Sequence, residues 1–256
     1  MARKPPSHKN RPARRRMTGS KTEGAKRSRV TSKPEQDDAT RMLHEKVRTA
    51  SGRKISSKLW IERQINDPYV RKAKEKGYRS RAAFKLEELD DKFGLVRPGS
   101  LVVDLGCAPG GWVQIAMNRG ADRVVGIDIL PVDPVAGADL IEFDFMDERA
   151  PEKIKALLGA EPDLVMSDLA ANTTGHRQTD HLKTVALVDA AADFAMKTLR
   201  PGGHFVTKVF QGGAEKGLLN RLKHNFQKVQ HAKPASSRKG SPEIYLVALN
   251  LQGRDA

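Results

Sequence analysis

The sequence predicts an α/β domain of Rossmann-like type, a mostly parallel seven-stranded sheet covered by helices on both faces, with an antiparallel last strand. Three observations carry this expectation. Short apolar runs alternate with helix-period segments from about residue 80 onward, which is the pattern of βαβ units. The first of these runs ends in a glycine-rich turn, Asp104-Leu105-Gly106-Cys107-Ala108-Pro109-Gly110-Gly111-Trp112, at the edge where open α/β sheets bind ligands. The last two runs leave no room for a helix between them, so they pair antiparallel.

Each element has its own signal. Ser80 is the expected N-cap of a helix in which Ala82, Leu86, Leu89 and Phe93 recur at i, i+4, i+7 and i+11, forming one stripe. Gly94 and Pro98 stop that helix. Leu101-Val102-Val103-Asp104-Leu105 reads as the first strand, followed by a helix over 111–119 and strands at 123–128 and 139–143. Pro151 suits the first position of the next helix. A strand at 163–167, a long helix near 180–199 and a strand at 203–209 come next. A helix near 214–225 and strands near 227–231 and 243–250 complete the sheet. This domain is expected over 78–256, behind a helical lead-in at 41–77. Residues 1–40 hold Pro5, Pro6, Pro12 and Pro34 and no aromatic residue, so they are expected to form a disordered basic arm.

Lys and Arg number 46 against 31 Asp and Glu, a net charge of +15. Residues 1–60 hold 18 basic and 5 acidic residues, 101–200 hold 9 and 16, and 201–256 hold 9 and 3. Basic ends around an acidic-leaning centre point to a polyanionic partner. No apolar run reaches the length of about 18 residues that a membrane-spanning helix needs. The basic N-terminus has no apolar stretch behind it, which excludes a secretory signal, although its Arg- and Ser-rich composition also suits a transit segment. The lone cysteine, Cys107, excludes an intramolecular disulfide and a cysteine-rich zinc site, and it fits the reducing cytoplasm.

The glycine loop is neither G-x-G-x-x-G nor a phosphate-cradling P-loop. Asp104, at the end of the first strand, has the wrong sign for phosphate and the right sign for an amine or sulfonium. Gly106, Gly110 and Gly111 let the backbone come close to a ligand, and the helix after them offers unpaired N–H groups. Asp128 ends the second strand, where a carboxylate accepts ribose hydroxyls, and Asp144 follows the third, within reach of an adenine amino group. A ribose, an adenine and a cationic amino-acid end without a pyrophosphate describe S-adenosylmethionine. Four more charged residues converge on the same edge: Asp168 after the fourth strand, Lys208 in the apolar fifth, Glu243 at the start of the last, and Lys85 beside the apolar stripe of the preceding helix. The seven His residues show no metal-ligand spacing, so no metal is expected, and no G-x-S-x-G elbow is present. Cys107 lies inside the loop as a small packing residue.

Taken together, these residues carry a resemblance. Tyr78 to Leu251 is similar to the RrmJ/FtsJ (RlmE) family of heat-shock 2′-O-ribose methyltransferases of large-subunit ribosomal RNA. The matching stretches are Tyr78–Leu86, Asp104–Trp112, Asp128-Ile129-Leu130-Pro131, Val165-Met166-Ser167-Asp168, Thr207-Lys208-Val209-Phe210 and Ser241-Pro242-Glu243-Ile244-Tyr245. The resemblance implies the Rossmann-like methyltransferase fold and a Lys-Asp-Lys-Glu tetrad at Lys85, Asp168, Lys208 and Glu243. It implies cofactor contacts at Gly110, Trp112, Asp128, Asp144 and Asp168. The implied substrate is a uridine of the 23S ribosomal RNA A loop on the 50S subunit, modified by a cytoplasmic monomer with no membrane partner. Lys208 is then the proton acceptor. Burial and Lys85 favour its neutral amine, while Asp168 and Glu243 oppose that and orient the lysines and the ribose. Lys233 to Lys239, with Arg79, Arg81 and Lys85, would hold phosphates beside the pocket. Another RNA target, or a non-catalytic role in ribosome assembly, stays open. The long basic N-terminus departs from the compact family core.

Overall fold

The computed structural model describes residues 55–170, 175–211 and 215–253; the expected arm at 1–40 and the start of the lead-in lie outside the described residues. Helices α1 (Ile55–Ile65), α2 (Pro68–Glu75) and α3 (Ala83–Phe93) lead into β1 (Leu101–Leu105). Then follow α4 (Gly111–Asn118), β2 (Arg123–Asp128), β3 (Ala138–Glu142), α5 (Ala150–Leu158) and β4 (Leu164–Ser167). The chain ends with α6 (Arg177–Thr198), β5 (His204–Phe210), α7 (Glu215–Asn225), β6 (Phe226–Ala232) and β7 (Glu243–Leu251). One sheet results, in the order β3-β2-β1-β4-β5-β7-β6. β7 pairs antiparallel with both β5 and β6, and all other pairings are parallel. The strand order reverses between β1 and β4, and a crevice opens at such a switch point.

Strand alternation divides the core into two layers. Val103, Leu105, Val125, Val165, Phe205 and Val209 pack against α5, α6 and α7. Val102, Val124, Leu164, Met166, Val206, Tyr245 and Val247 pack against α3 and α4 through Leu86, Leu89, Trp112, Val113 and Ile115. A period of two from these residues puts Asp104, Lys208 and Glu243 on the α3/α4 side, with Asp168 following Met166 in step. Thus four acids and bases from four strands share one face at one edge.

Three local expectations are corrected. The sequence places a helix cap at Ser80, but α3 begins at Ala83 after Ala82. Residues 80–82 instead form a turn whose carbonyls accept from Ala83, Phe84 and Lys85 three residues on, so the serine signal marks the turn and not the cap. Pro151 stands one place inside α5, behind Ala150, a position equally free of the need for a helical N–H. The long helix starts at Arg177, earlier than its apolar period suggests.

Candidate active site

Asp104 is the most buried acid at the crevice, with 1% of its surface exposed. Its Oδ2 has no hydrogen-bond partner among the described residues. Burial first, then the charges of Asp168 and Asp128, hold its carboxyl well above the usual carboxylate range. A buried acid in this state calls for a donor or cation facing it. It lines a chamber of about 50 Å³ with Gly106, Gly111, Trp112 and Asp168. Ser80 Oγ, also buried and unpartnered among the described residues, lies on the same chamber.

Beside the chamber runs a cleft of about 390 Å³, lined by Gly106, Asp128, Asp144 and Asp168 and walled by Ile129, Leu130, Phe143, Met146 and Leu169. Asp128 accepts from the N–H groups of Ala108 and Leu130, each at 2.9 Å. Asp144 accepts from Met146 N at 2.9 Å. These bonds fix both carboxylates at the rim, and each keeps lone pairs for a further donor. Ile129, Leu130 and Met146 are more than half exposed, an apolar surface that a flat ring would cover. Chamber and cleft together suit a ligand with a cationic end, hydroxyl groups and a flat apolar ring.

The four charged residues meet around Asp168, which also lines the chamber. Lys208 Nζ lies 3.2 Å from Asp168 Oδ1 and donates to the Asp168 carbonyl at 2.8 Å. Lys85 Nζ lies 3.5 Å from Asp168 Oδ2 and 2.8 Å from Glu243 Oε1. Both lysines are buried, which long cations tolerate only when paired. Signs alternate along the row Lys208, Asp168, Lys85, Glu243, so the ionised cluster is neutral as a whole. Asp168 therefore holds Lys208 through both its carboxylate and its carbonyl oxygen.

Two members of the cluster carry no role in the sequence analysis. Tyr245 OH donates to Asp168 Oδ1 at 2.7 Å and lies 3.4 Å from Glu243 Oε1. Burial and these two acids push its pKa well up, which keeps the phenol a donor. Its position two residues after Glu243 on a strand is the signal that could have found it. Ser237 Oγ donates to Glu243 Oε1 at 2.9 Å, and nothing local in the sequence announces that.

Trp112 is buried, donates Nε1–H to the Ala82 carbonyl at 2.8 Å and packs on Tyr245 with ring centroids 5.8 Å apart. Gly110 sits against the Arg79 guanidinium. Of the three residues expected at phosphates, Arg81 and Lys85 are taken up by protein carboxylates, and Arg79 is bonded to exposed carbonyls. Arg79 donates to the carbonyls of Pro109, Asp133 and Pro134, Arg81 pairs with Asp67, and Lys85 is buried in the cluster. Burial pushes the Cys107 thiol up, with Asp104 and Asp128 adding to it, as befits a packing residue. Among the described residues no three His, Cys, Asp or Glu side chains converge to hold a metal ion.

Comparison with known proteins bears on this geometry. Residues 78–251 match the model of the FtsJ-like methyltransferases. The Ribosomal RNA large subunit methyltransferase E of Sphingopyxis alaskensis is 57% identical over 213 residues, 83% of this chain and 93% of that protein. Its namesake from Granulibacter bethesdensis is 60% identical over 202 residues, 79% of this chain and 88% of that one. A crystal structure from Plasmodium falciparum, assigned to a ribosomal RNA methyltransferase, superposes with a TM-score of 0.62 at 32% identity, covering 69% of this chain and all of that one. The chain belongs to the FtsJ-like methyltransferase family.

Proposed function

We propose that this protein transfers the methyl group of S-adenosylmethionine to a ribose 2′-hydroxyl of large-subunit (23S) ribosomal RNA, at a uridine of the A loop on the 50S subunit. The observation that carries this is the Lys208–Asp168–Lys85–Glu243 row standing beside the Asp104 chamber. The names of the relatives support the large-subunit RNA as substrate. S-adenosylmethionine, when bound, supplies a methyl group already activated on a sulfonium. Asp104 would hold its amino-acid end, Asp128 its ribose hydroxyls and Asp144 its adenine amino group, with Ile129, Leu130 and Met146 on the ring. The protein must then place the 2′-hydroxyl in line and take its proton, and positioning alone supplies a large part of the rate. Lys208 Nζ accepts that proton, and Asp168 pairs with the ammonium formed. Glu243 and Tyr245 hold Lys85 and Asp168 in place while this happens. We further propose a cytoplasmic monomer whose arm at 1–40 contacts RNA; no described helix is long and apolar enough to cross a membrane.

The test is methylation of 50S subunits by the purified protein, with the modified atom mapped on the RNA. Lys208→Ala is expected to lower the rate by about a hundredfold or more, the scale of a lost general base, while cofactor affinity stays. Lys208→Arg fails equally, because a guanidinium does not deprotonate. Near wild-type turnover of the Arg variant would remove the proton-acceptor role. Methylation of a base, or of another RNA only, would remove the substrate assignment.

A further inference from the structure

A second ion network, centred on the buried Asp67, adjoins the first, and two adjacent serines join them. Asp67, 8% exposed, caps α2 by accepting from Tyr69 N at 3.0 Å. Its Oδ2 pairs with Arg81 and with Arg238, whose Nε and Nη2 both stand at 3.2 Å. Arg81 also donates to the Ser236 carbonyl. The Ser236 N–H in turn donates to the Glu88 carboxylate of α3, at 3.1 and 3.2 Å. Charged groups thus grip the irregular connection between β6 and β7 from three sides. Ser237, the next residue, is buried and donates to Glu243 Oε1 at 2.9 Å. That same oxygen stands 2.8 Å from Lys85 Nζ.

The chemistry gives the network a direction. Two guanidiniums beside one carboxylate repel each other, and burial together with Arg238 lowers the Arg81 pKa. Asp67 is the charge that lets both stay. Remove it, and the connection loses its tie to the start of α2 and keeps only the Glu88 bond to α3, which loosens the placement of the Ser237 hydroxyl. None of these residues lines the chamber other than through the cluster, and none lines the cleft.

We propose that Asp67 is a positioning residue for the methyl transfer: through Arg81 and Arg238 it holds the β6–β7 connection so that Ser237 orients Glu243, and Glu243 orients Lys85. This rests on the function proposed above for the cluster, and it adds an element of control sited on α2.

The experiment is a double-mutant cycle read in kcat, KM and cofactor affinity on the full chain, with hydrogen exchange measured on the same proteins. The variants are Asp67→Asn, Ser237→Ala, Glu243→Gln and the two doubles with Glu243→Gln. Asp67→Asn and Ser237→Ala are each expected to lower kcat by about tenfold, the scale of a hydrogen bond to a charged group, with KM and cofactor affinity unchanged. In the Glu243→Gln background each should cost less than about twofold more, since residues acting through one partner are not additive. Amides of 233–241 should exchange faster in Asp67→Asn, while those of α4 keep their protection. Ser237→Ala removes a single hydroxyl, so it reports on the link even if Asp67→Asn folds poorly. Full additivity, or unchanged kcat in Ser237→Ala, would overturn the proposal. If the wild-type protein methylates no ribose, the assigned function fails. The clamp then stands or falls on the exchange of 233–241 alone, and unchanged protection there in Asp67→Asn sinks it.

Discussion

Asp104 couples folding and ligand binding to protons. Its carboxyl is held well above the 3.8 of an unperturbed aspartate, by burial first and then by Asp168 and Asp128. With the folded value raised, the native state binds more protons than the unfolded chain from pH 3.8 upward. The contribution of Asp104 to stability is therefore full below that pH and is lost as pH rises through the folded value. A cationic group facing Oδ2 reverses the shift, so binding it expels the proton. S-adenosylmethionine affinity is expected to rise with pH across this window. Calorimetry in two buffers of different ionisation enthalpy should show release of up to about one proton, and Asp104→Asn should show none. Equal heats in both buffers for the wild type would separate Asp104 from the cofactor. The place of Asp104 at the edge of the sheet was legible in the sequence, since an acid at a strand end before a glycine turn is a local pattern. Its unpartnered oxygen was not, because solitude is a property of the packed neighbours.

At the scale of the element, the β1–α4 loop shows why its first glycine is needed. Gly106 has φ 78°, and a Cβ there would drive into the Leu169 side chain that follows β4. The sequence attributes this glycine to the close approach of a ligand; the structure adds a protein neighbour that forbids a side chain. Gly159 offers the control, with φ 79° at the end of α5 and open space around it. Gly106→Ala is expected to cost about 2–4 kcal/mol, overpacking added to left-handed strain, against about 1 kcal/mol for Gly159→Ala. Denaturant midpoints measure both, and only Gly106→Ala should also weaken cofactor binding. Equal losses in the two variants would mean that Leu169 gives way freely. Strand elements were the most legible part of the fold. β2 runs from Arg123 to Asp128 as its apolar run indicates, whereas the shared face of Asp104, Lys208 and Glu243 needed the packed sheet to assign it.

Over the whole molecule the net charge of +15 must be weighed against where the cations are engaged. Arg81 and Lys85 are paired with buried carboxylates, so the sequence-independent attraction for RNA falls to exposed residues such as Lys72 and Lys74 of α2 and Lys239 of the β6–β7 connection. Residues 1–40, with 12 basic and 4 acidic residues, are the largest such reserve by composition. Deleting them is expected to weaken binding to ribosomal RNA and to flatten its dependence on salt, because fewer counterions are released. The modified nucleotide should not change, since the folded site selects it. Titrations of full-length and truncated protein at two salt concentrations check this, and identical affinities and slopes would show that the arm does not touch the RNA.

The order and type of the elements from β1 onward, the loop between β1 and α4, and the acids at the strand ends are read from the chain alone. Each of these is encoded locally, by a period, a turn or a strand terminus. Which charged groups meet, and on what partners, depends on packing between distant segments. Asp67 and Arg238 are 171 positions apart, and Arg81 and Ser236 are 155 apart. A basic residue near the site reads the same in sequence whether it faces a phosphate or a buried carboxylate. Its partner is chosen when the crossovers bring α2, α3 and the β6–β7 connection together, and burial there makes pairing obligatory.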